Sequence, residues 1–84
     1  MYVVYILLCK DNTLYTGITN NLAKRFALHQ SGKASAYTRS HPVNKILYQE
    51  RKRTKGNALK REYAIKQLSR MQKLALIQKK PYHS

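Results

Sequence analysis

The chain has 84 residues, enough for one small domain with a modest core but not for two domains. Apolar residues make up 43% of it, which excludes a disordered basic tail and predicts a folded protein. With 17 Lys and Arg against three acidic residues, the formal net charge is +14, so a polyanion is the expected partner and nucleic acid the first class to consider.

The cysteine content and the hydropathy further restrict the class of protein and its expected location. The single cysteine, Cys9, excludes an internal disulfide, and its apolar surroundings predict a small buried core residue. No Cys/His grouping has zinc-site spacing. The first apolar run has no charged leader and is too short to span a bilayer, so we expect a cytoplasmic protein with no membrane partner.

The first two predicted elements are strands joined by a tight turn. Residues 2–9 are apolar and rich in β-branched and aromatic types, which predicts a buried strand, and residues 13–18 predict its partner. Residues 10–12 suit a three-residue hairpin loop with Asn12 in the left-handed region, which asparagine tolerates well.

This loop length determines which side chains meet. Tyr5 lies opposite Gly17, and residues of equal parity share a face, so Tyr5 and Tyr15 stand together. Gly17 leaves space beside Tyr5. A two-residue loop would instead place the two tyrosines on opposite faces.

A helix is predicted over residues 21–30, because cap residues precede apolar positions at helical spacing and Gly32 provides a C-terminal stop. Arg25 and His29 are four residues apart on one edge of its apolar side. We expect them to be half-buried neighbours.

The middle of the chain is predicted to be a loop followed by a strand. Residues 33–42 lack periodicity and form a loop of about ten residues. In it, Tyr37 and Arg39 are candidates for contacting a nucleic-acid backbone, although Tyr37 equally suits closure of the core. Residues 43–49 predict the third strand.

A second long helix is predicted over residues 58–68, with Asn57 as its cap. Glu62 falls within the apolar sector of this helix, between Leu59 and Ile65. A carboxylate in that position needs a cation, a metal ion or a proton as its partner.

The last predicted helix begins at a capping box that starts with Ser69, and it directs Leu74 and Ile77 inward. Residues 79–84 are predicted to be a flexible tail. The chain is therefore read as a single domain over residues 1–78.

Together, the motifs of the two strands and the two long helices resemble those of a known family. The sequence resembles the GIY-YIG nuclease superfamily, and within it the small single-domain bacterial UPF0213 proteins. The motifs that carry it are Val4-Tyr5-Ile6, Tyr15-Thr16-Gly17, Arg25 and Glu62, with support from segments 14–20, 36–39, 58–62 and 68–74.

The resemblance implies an α+β fold, a three-stranded antiparallel sheet flanked by about three helices. It implies hydrolysis of a DNA phosphodiester with one divalent ion, Mg²⁺ or Mn²⁺. By position, the implied catalytic residues are Tyr5, Tyr15, Arg25, His29 and the metal-binding Glu62, and Gly17 matches the motif glycine.

The chemistry suits these residue types. A metal ion on Glu62 would act as a Lewis acid toward the phosphate, and Arg25 would donate to the same phosphate. A phenol of ordinary pKa near ~10 is a poor base at neutral pH, so its pKa would have to be lowered. Which tyrosine serves as base stays open, and His29 is a possible proton relay.

Basic side chains beyond this constellation predict a phosphate-contacting surface, because few acids compensate them. Gly17, Tyr37 and Arg39 are further predicted nucleic-acid contacts. The basic contacts are Arg51, Lys52, Arg53, Lys55, Lys60, Arg61 and Lys66.

Two functions from different classes remain open. The first is a metal-dependent endonuclease on structured or single-stranded DNA, with low sequence specificity. The second is a non-catalytic basic module that binds DNA or RNA and retains a vestigial site. A monomer is expected, and a protein partner could supply targeting.

Overall fold

The computed structural model describes residues 1–82, and they form one antiparallel sheet and four helices. In the sheet, the first strand of the chain lies between the second and the third. This confirms the α+β fold with a three-stranded antiparallel sheet and adds one short helix to the predicted three. The elements are β1 (Tyr2–Cys9), β2 (Leu14–Thr19), α1 (Leu22–Gln30), α2 (Ala36–Ser40), β3 (Val43–Lys52), α3 (Lys55–Lys66) and α4 (Arg70–Lys79).

The β1–β2 hairpin has the predicted loop and register. Asn12 adopts a φ of 70°, in the left-handed region. The Cys9 N–H donates to the Thr13 carbonyl at 2.9 Å, which closes the three-residue loop. Tyr5 therefore lies opposite Gly17, as predicted.

The sheet separates two apolar layers because side chains alternate along β1. On one side, Val4 and Ile6 pack with residues of α3 and α4: Ala58, Ile65 and Ile77. On the other side, Tyr5, Leu7 and the buried Cys9 pack with Val43 and with Leu22 and Phe26 of α1. The prediction of a buried Cys9 is confirmed, and burial raises the pKa of its thiol.

Strand β3 is longer than predicted and contains a bulge. Ile6 of β1 pairs with Tyr48, whereas the next residue, Leu7, pairs with Ile46, so Leu47 is an extra residue. Ile46 and Tyr48 therefore belong to opposite apolar layers although they are two residues apart. The strand continues to Lys52, beyond the predicted end at residue 49.

The prediction of a structureless loop over residues 33–42 was wrong. Ser35 caps a short helix, α2, by accepting a hydrogen bond from the Thr38 N–H at 3.1 Å. Five residues are too few to show helical periodicity, so the cap was the available signal. Helix α1 matches its prediction closely, with Asn21 as its N-cap.

Helix α3 begins and ends earlier than predicted. Its N-cap is Thr54, whose hydroxyl accepts from the Asn57 N–H, so Asn57 is not the cap. Leu59, predicted to be on the apolar side, is 45% exposed. The start was misplaced because the turn that follows the Thr54 cap, Lys55-Gly56-Asn57, contains no apolar residue and so carries no helical pattern.

Helix α4 starts with the predicted capping box at Ser69. Ile77 is buried as predicted, but Leu74 is 38% exposed. The predicted boundary at residue 78 falls inside this helix, and the Tyr82 N–H donates to the Leu47 carbonyl of β3 at 3.0 Å. The rest of the predicted tail, residues 83–84, lies outside the described residues, and its flexibility stays a prediction.

Among residues 1–82, no helix combines the length and hydropathy that crossing a membrane requires.

Candidate active site

The two motif tyrosines lie on the α1 side of the sheet, as the hairpin register requires. Their ring centroids are 6.5 Å apart with the planes tilted by 41°, and Tyr5 is only 1% exposed. A Cβ atom at Gly17 would lie 2.6 Å from the Tyr5 hydroxyl oxygen. Gly17 is buried beside the tyrosine ring and leaves space for Tyr5, as predicted, whereas its contact with nucleic acid stays a prediction.

His29 is the centre of a buried hydrogen-bonded chain. Its Nε2 atom lies 2.8 Å from the Tyr5 hydroxyl, and its Nδ1 atom lies 2.7 Å from the Thr38 hydroxyl. His29 and Thr38 are each 1% exposed. The prediction that His29 is half-buried was wrong. It considered only the faces of helix α1, whereas α2 covers the imidazole as well.

Electrostatics keep Tyr5 and His29 neutral. Burial raises the pKa of Tyr5 well above its ordinary value, and Tyr15 and the Glu62 charge act in the same direction, against the lowering effect of Arg25. Burial lowers the pKa of His29, and the Arg25 charge lowers it further. At neutral pH the pair is thus a phenol hydrogen-bonded to a neutral imidazole.

Arg25 and Glu62 both lie close enough for their charges to act on the Tyr5 hydroxyl, although they come from α1 and α3. Arg25 is half-buried, as predicted. The Glu62 carboxylate is 18% exposed and pairs with Lys66 at 3.4 Å. The sequence predicted that Glu62 needs a partner, and that partner is Lys66, one turn along the same helix.

The donor set near Glu62 fits a lightly held divalent ion. Within residues 1–82 no group of three or more His, Cys, Asp or Glu side chains could hold a metal ion together. Mg²⁺ commonly uses one or two carboxylates together with water and substrate phosphate oxygens. Glu62, whose side chain is 18% exposed, is the residue of the site that could serve as such a ligand.

An aromatic stack borders the site on the α2 side. Tyr37 stacks on Tyr15 with ring centroids 5.6 Å apart, and His41 stacks on Tyr37 at 4.2 Å. The Asp11 carboxylate in the hairpin loop contacts His41 Nδ1 at 2.5 Å. Tyr37 remains 38% exposed, so it both packs against the site and presents an edge to solvent.

Sequence reasoning missed the polar supports of this site. Ser35, Thr38, His41 and Asp11 were not predicted to take part, although the Ser35 to Thr38 spacing is a helix-cap pattern that could have drawn attention to them. Arg39, predicted to bind nucleic acid, is exposed on α2.

The predicted basic contacts divide into paired and unpaired groups. Lys52 and Arg61 both bind the Glu50 carboxylate, with nitrogen–oxygen distances of 2.8 and 2.9 Å. Lys66 pairs with Glu62, so three of the predicted basic contacts have an acidic partner. Of the seven predicted basic contacts between residues 51 and 66, the four that are exposed and outside the ion pairs of residues 1–82 are Arg51, Arg53, Lys55 and Lys60.

A three-stranded antiparallel sheet that presents paired tyrosines, a helical arginine and histidine, and a glutamate from a later helix defines a GIY-YIG-type nuclease domain. Residues 1–75 match the family model of the GIY-YIG catalytic domain. The chain belongs to the GIY-YIG family, which is a family of nucleases.

Comparison with similar proteins shows which group within this family the chain resembles. A UPF0213 protein of Staphylococcus haemolyticus is 46% identical over 94% of this chain and 96% of its own length. A UPF0213 protein of Clostridium perfringens is 51% identical over 95% of this chain and 86% of its own. The solution NMR structure of a UPF0213 protein of Bacillus halodurans matches with a TM-score of 0.61 at 39% identity, covering 95% of this chain and 86% of that one. The predicted resemblance is confirmed.

Proposed function

We propose that this protein is a metal-dependent endonuclease that hydrolyses phosphodiester bonds of structured or single-stranded DNA with low sequence specificity. The observation that carries the proposal is the buried hydrogen bond between the Tyr5 hydroxyl and His29 Nε2, within the fields of Arg25 and Glu62. Any buried tyrosine hydroxyl needs a hydrogen-bond partner, but here the partner is an imidazole, which can take up a proton, and two charged side chains act on the same hydroxyl.

The geometry favours Tyr5 as the group that accepts the proton of the attacking water. Its raised pKa makes a free phenolate unfavourable, so Tyr5 works only if it loses its own proton as it gains one. His29 Nε2 is placed to take that proton. The water O–H bond breaks, a new Tyr5 O–H bond forms, and the original hydroxyl proton moves to the imidazole without a phenolate intermediate.

Positive charge beside the phosphate would come from Arg25 and from a metal ion held by Glu62. Arg25 donates to the phosphate oxygens and stabilises the negative charge that increases in the transition state. Once free of Lys66, Glu62 would share in holding Mg²⁺ or Mn²⁺, which would act as a Lewis acid toward the phosphate and the leaving oxygen.

Nucleic-acid affinity comes mainly from charge. Arg51, Arg53, Lys55 and Lys60 are exposed, and their cations are available to phosphates. No second domain follows the site within residues 1–82. We therefore expect little base-specific recognition from this domain, and a protein partner would supply targeting where it is needed.

The test is a cleavage assay on single-stranded, duplex, flapped and branched DNA and on RNA, with Mg²⁺ or Mn²⁺ against a chelator. We expect metal-dependent product from the wild type and a loss of at least ~100-fold in rate for Glu62→Gln and for Arg25→Ala, because each removes a charge that stabilises the transition state. Binding affinity, measured in parallel, should remain within about threefold for both variants, since most of it is non-specific electrostatics.

Arg70→Ala is the matched control for Arg25→Ala, since it removes one exposed guanidinium from the start of α4. It should cleave at the wild-type rate. Tight binding without product from any substrate, with or without metal, would instead establish the non-catalytic binding module.

A further inference from the structure

We propose that Thr38, supported by Ser35, is a positioning residue that holds His29 in the tautomer with its proton on Nδ1, so that Nε2 is free to accept the proton of Tyr5. This inference rests on the proposed nuclease function for its catalytic consequence. Its structural part concerns the resting protein alone. Neither Thr38 nor Ser35 touches the substrate in this scheme; they act through the imidazole.

The first step is the position of the Tyr5 proton. Tyr5 is 1% exposed, and His29 Nε2 is the hydrogen-bond acceptor that its hydroxyl contacts within residues 1–82. Arg25, the neighbouring group whose hydrogen bonding lowers the tyrosine pKa, carries donors only. If Nε2 bore the imidazole proton, the buried Tyr5 hydroxyl proton would have no acceptor. Nε2 therefore accepts, and the proton of neutral His29 lies on Nδ1.

The second step is the position of the Thr38 proton. With Nδ1–H donating to the Thr38 hydroxyl oxygen at 2.7 Å, that hydroxyl must direct its own hydrogen elsewhere. Ser35 offers two acceptors, its hydroxyl oxygen at 2.9 Å and its carbonyl oxygen at 3.5 Å. The hydrogen bonds then all run in one direction: Tyr5 donates to His29, His29 donates to Thr38, and Thr38 donates to Ser35.

The third step is the rigidity of this support. Ser35 is the N-cap of α2, and its hydroxyl accepts from the Thr38 backbone N–H at 3.1 Å. The same contact that starts the helix thus places the Thr38 hydroxyl over the imidazole. The tautomer of a histidine is decided by the hydrogen bond that its other nitrogen makes, and here that bond is supplied by a buried, locally fixed group.

The direct test is the tautomer itself, read from long-range ¹H–¹⁵N NMR spectra of the ¹⁵N-labelled full chain without metal or nucleic acid. We expect wild-type His29 to be protonated on Nδ1 and Thr38→Ser to keep that state, because serine retains the hydroxyl. In Thr38→Val, which has nearly the same shape without the hydroxyl, the proton should move to Nε2 or exchange between both nitrogens. A wild-type His29 protonated on Nε2 would overturn the proposal.

Single-turnover cleavage adds the functional readout. Thr38→Val should lower the rate of the chemical step by at least ~10-fold with substrate affinity unchanged, and Thr38→Ser should restore it, since a misplaced base costs part of the 10²–10⁴-fold of general acid–base catalysis. A valine variant with the wild-type rate would contradict the positioning role. If Thr38→Val does not fold, Thr38→Ala removes the same hydroxyl and is measured in its place. If the wild type cleaves nothing, the proposed nuclease function fails while the spectra still test the Thr38 assignment.

Discussion

At the scale of single residues, burial determines how Tyr5 can act. A solvent-exposed phenol could ionise with help from a nearby cation, but Tyr5 is almost fully buried and burial raises its pKa far from neutrality. The hydrogen bond to His29 offers the proton another destination at 2.8 Å. In the proposed function, protons therefore pass from the water to Tyr5 and from Tyr5 to His29 without a phenolate intermediate.

The space for that relay depends on Gly17. In Gly17→Ala, the new Cβ would lie 2.6 Å from the Tyr5 hydroxyl oxygen and 2.8 Å from its ring carbon Cζ, so the ring must move. We expect the free energy of unfolding to fall by about 1–3 kcal/mol, as for other overpacked sites, and cleavage to fall with it as the hydroxyl leaves His29. Urea denaturation and the cleavage assay measure the two effects.

Gly56→Ala is the matched control for Gly17→Ala. Nothing lies within 4 Å of a Cβ at Gly56, which is in the first turn of α3. This variant should be equally stable or more stable by about 0.5–1 kcal/mol, because alanine loses less backbone entropy in a helix. Equal effects at both glycines would show that Tyr5 does not require the space beside Gly17.

At the scale of elements, an ion-pair network joins β3 to α3 on the far side of the sheet from His29. Glu50 accepts hydrogen bonds from the Tyr48 hydroxyl at 2.5 Å and from Arg61 Nε at 2.9 Å. Burial alone would raise the pKa of Glu50, but these bonds and Lys52 outweigh it and the pKa is lowered. Burial, then the bond to Glu50, raises the pKa of Tyr48 to about 12. The network is therefore a structural joint that keeps α3, and with it Glu62, against the sheet.

This role separates Arg61 from its neighbour Lys60, although both carry one positive charge. Arg61→Ala should lower the free energy of unfolding by about 1 kcal/mol, because it leaves Glu50 with fewer donors in a partly exposed site. Lys60→Ala should leave stability unchanged and weaken nucleic-acid binding, since Lys60 is exposed and outside the ion pairs of residues 1–82. Denaturant unfolding and filter binding compare the two, and the opposite ranking would place Arg61 in the binding surface.

At the scale of the whole molecule, net charge dominates the interaction with a polyanion. A formal charge of +14 on 84 residues acts on any phosphate backbone, whatever its base sequence. Three of the 17 Lys and Arg side chains, Lys52, Arg61 and Lys66, are ion-paired with Glu50 or Glu62, and the net charge of +14 already includes these acids. In the proposed function, binding and chemistry use largely different side chains.

The salt dependence of binding measures how many of those free cations contact phosphates. Replacing Arg51, Arg53, Lys55 and Lys60 together by alanine should reduce the slope of log K against log salt concentration by roughly 3, at about 0.7–0.9 for each contact removed. At saturating protein and low salt, cleavage by this variant should remain near the wild-type rate. An unchanged slope would show that the DNA-binding surface lies elsewhere on the molecule.

The sequence by itself determined the features that depend on neighbours along the chain. Loop length and the preference of Asn12 for positive φ set the register that brings Tyr5 beside Tyr15 and opposite Gly17. The Ser69 capping box likewise depends on residues three apart. These features were predictable because backbone geometry and local hydrogen bonds specify them without reference to the rest of the fold.

Only the tertiary structure decided the rest. Helix α2 buries His29 against Thr38, the Leu47 bulge moves Tyr48 into the other layer, and Arg61 of α3 binds Glu50 of β3. Each of these features depends on groups that are distant in sequence. Each arises because a buried polar group needs a hydrogen-bonding partner or because an apolar face needs a surface to pack against. Periodicity records which side of an element is apolar, whereas only the folded chain shows what covers that side.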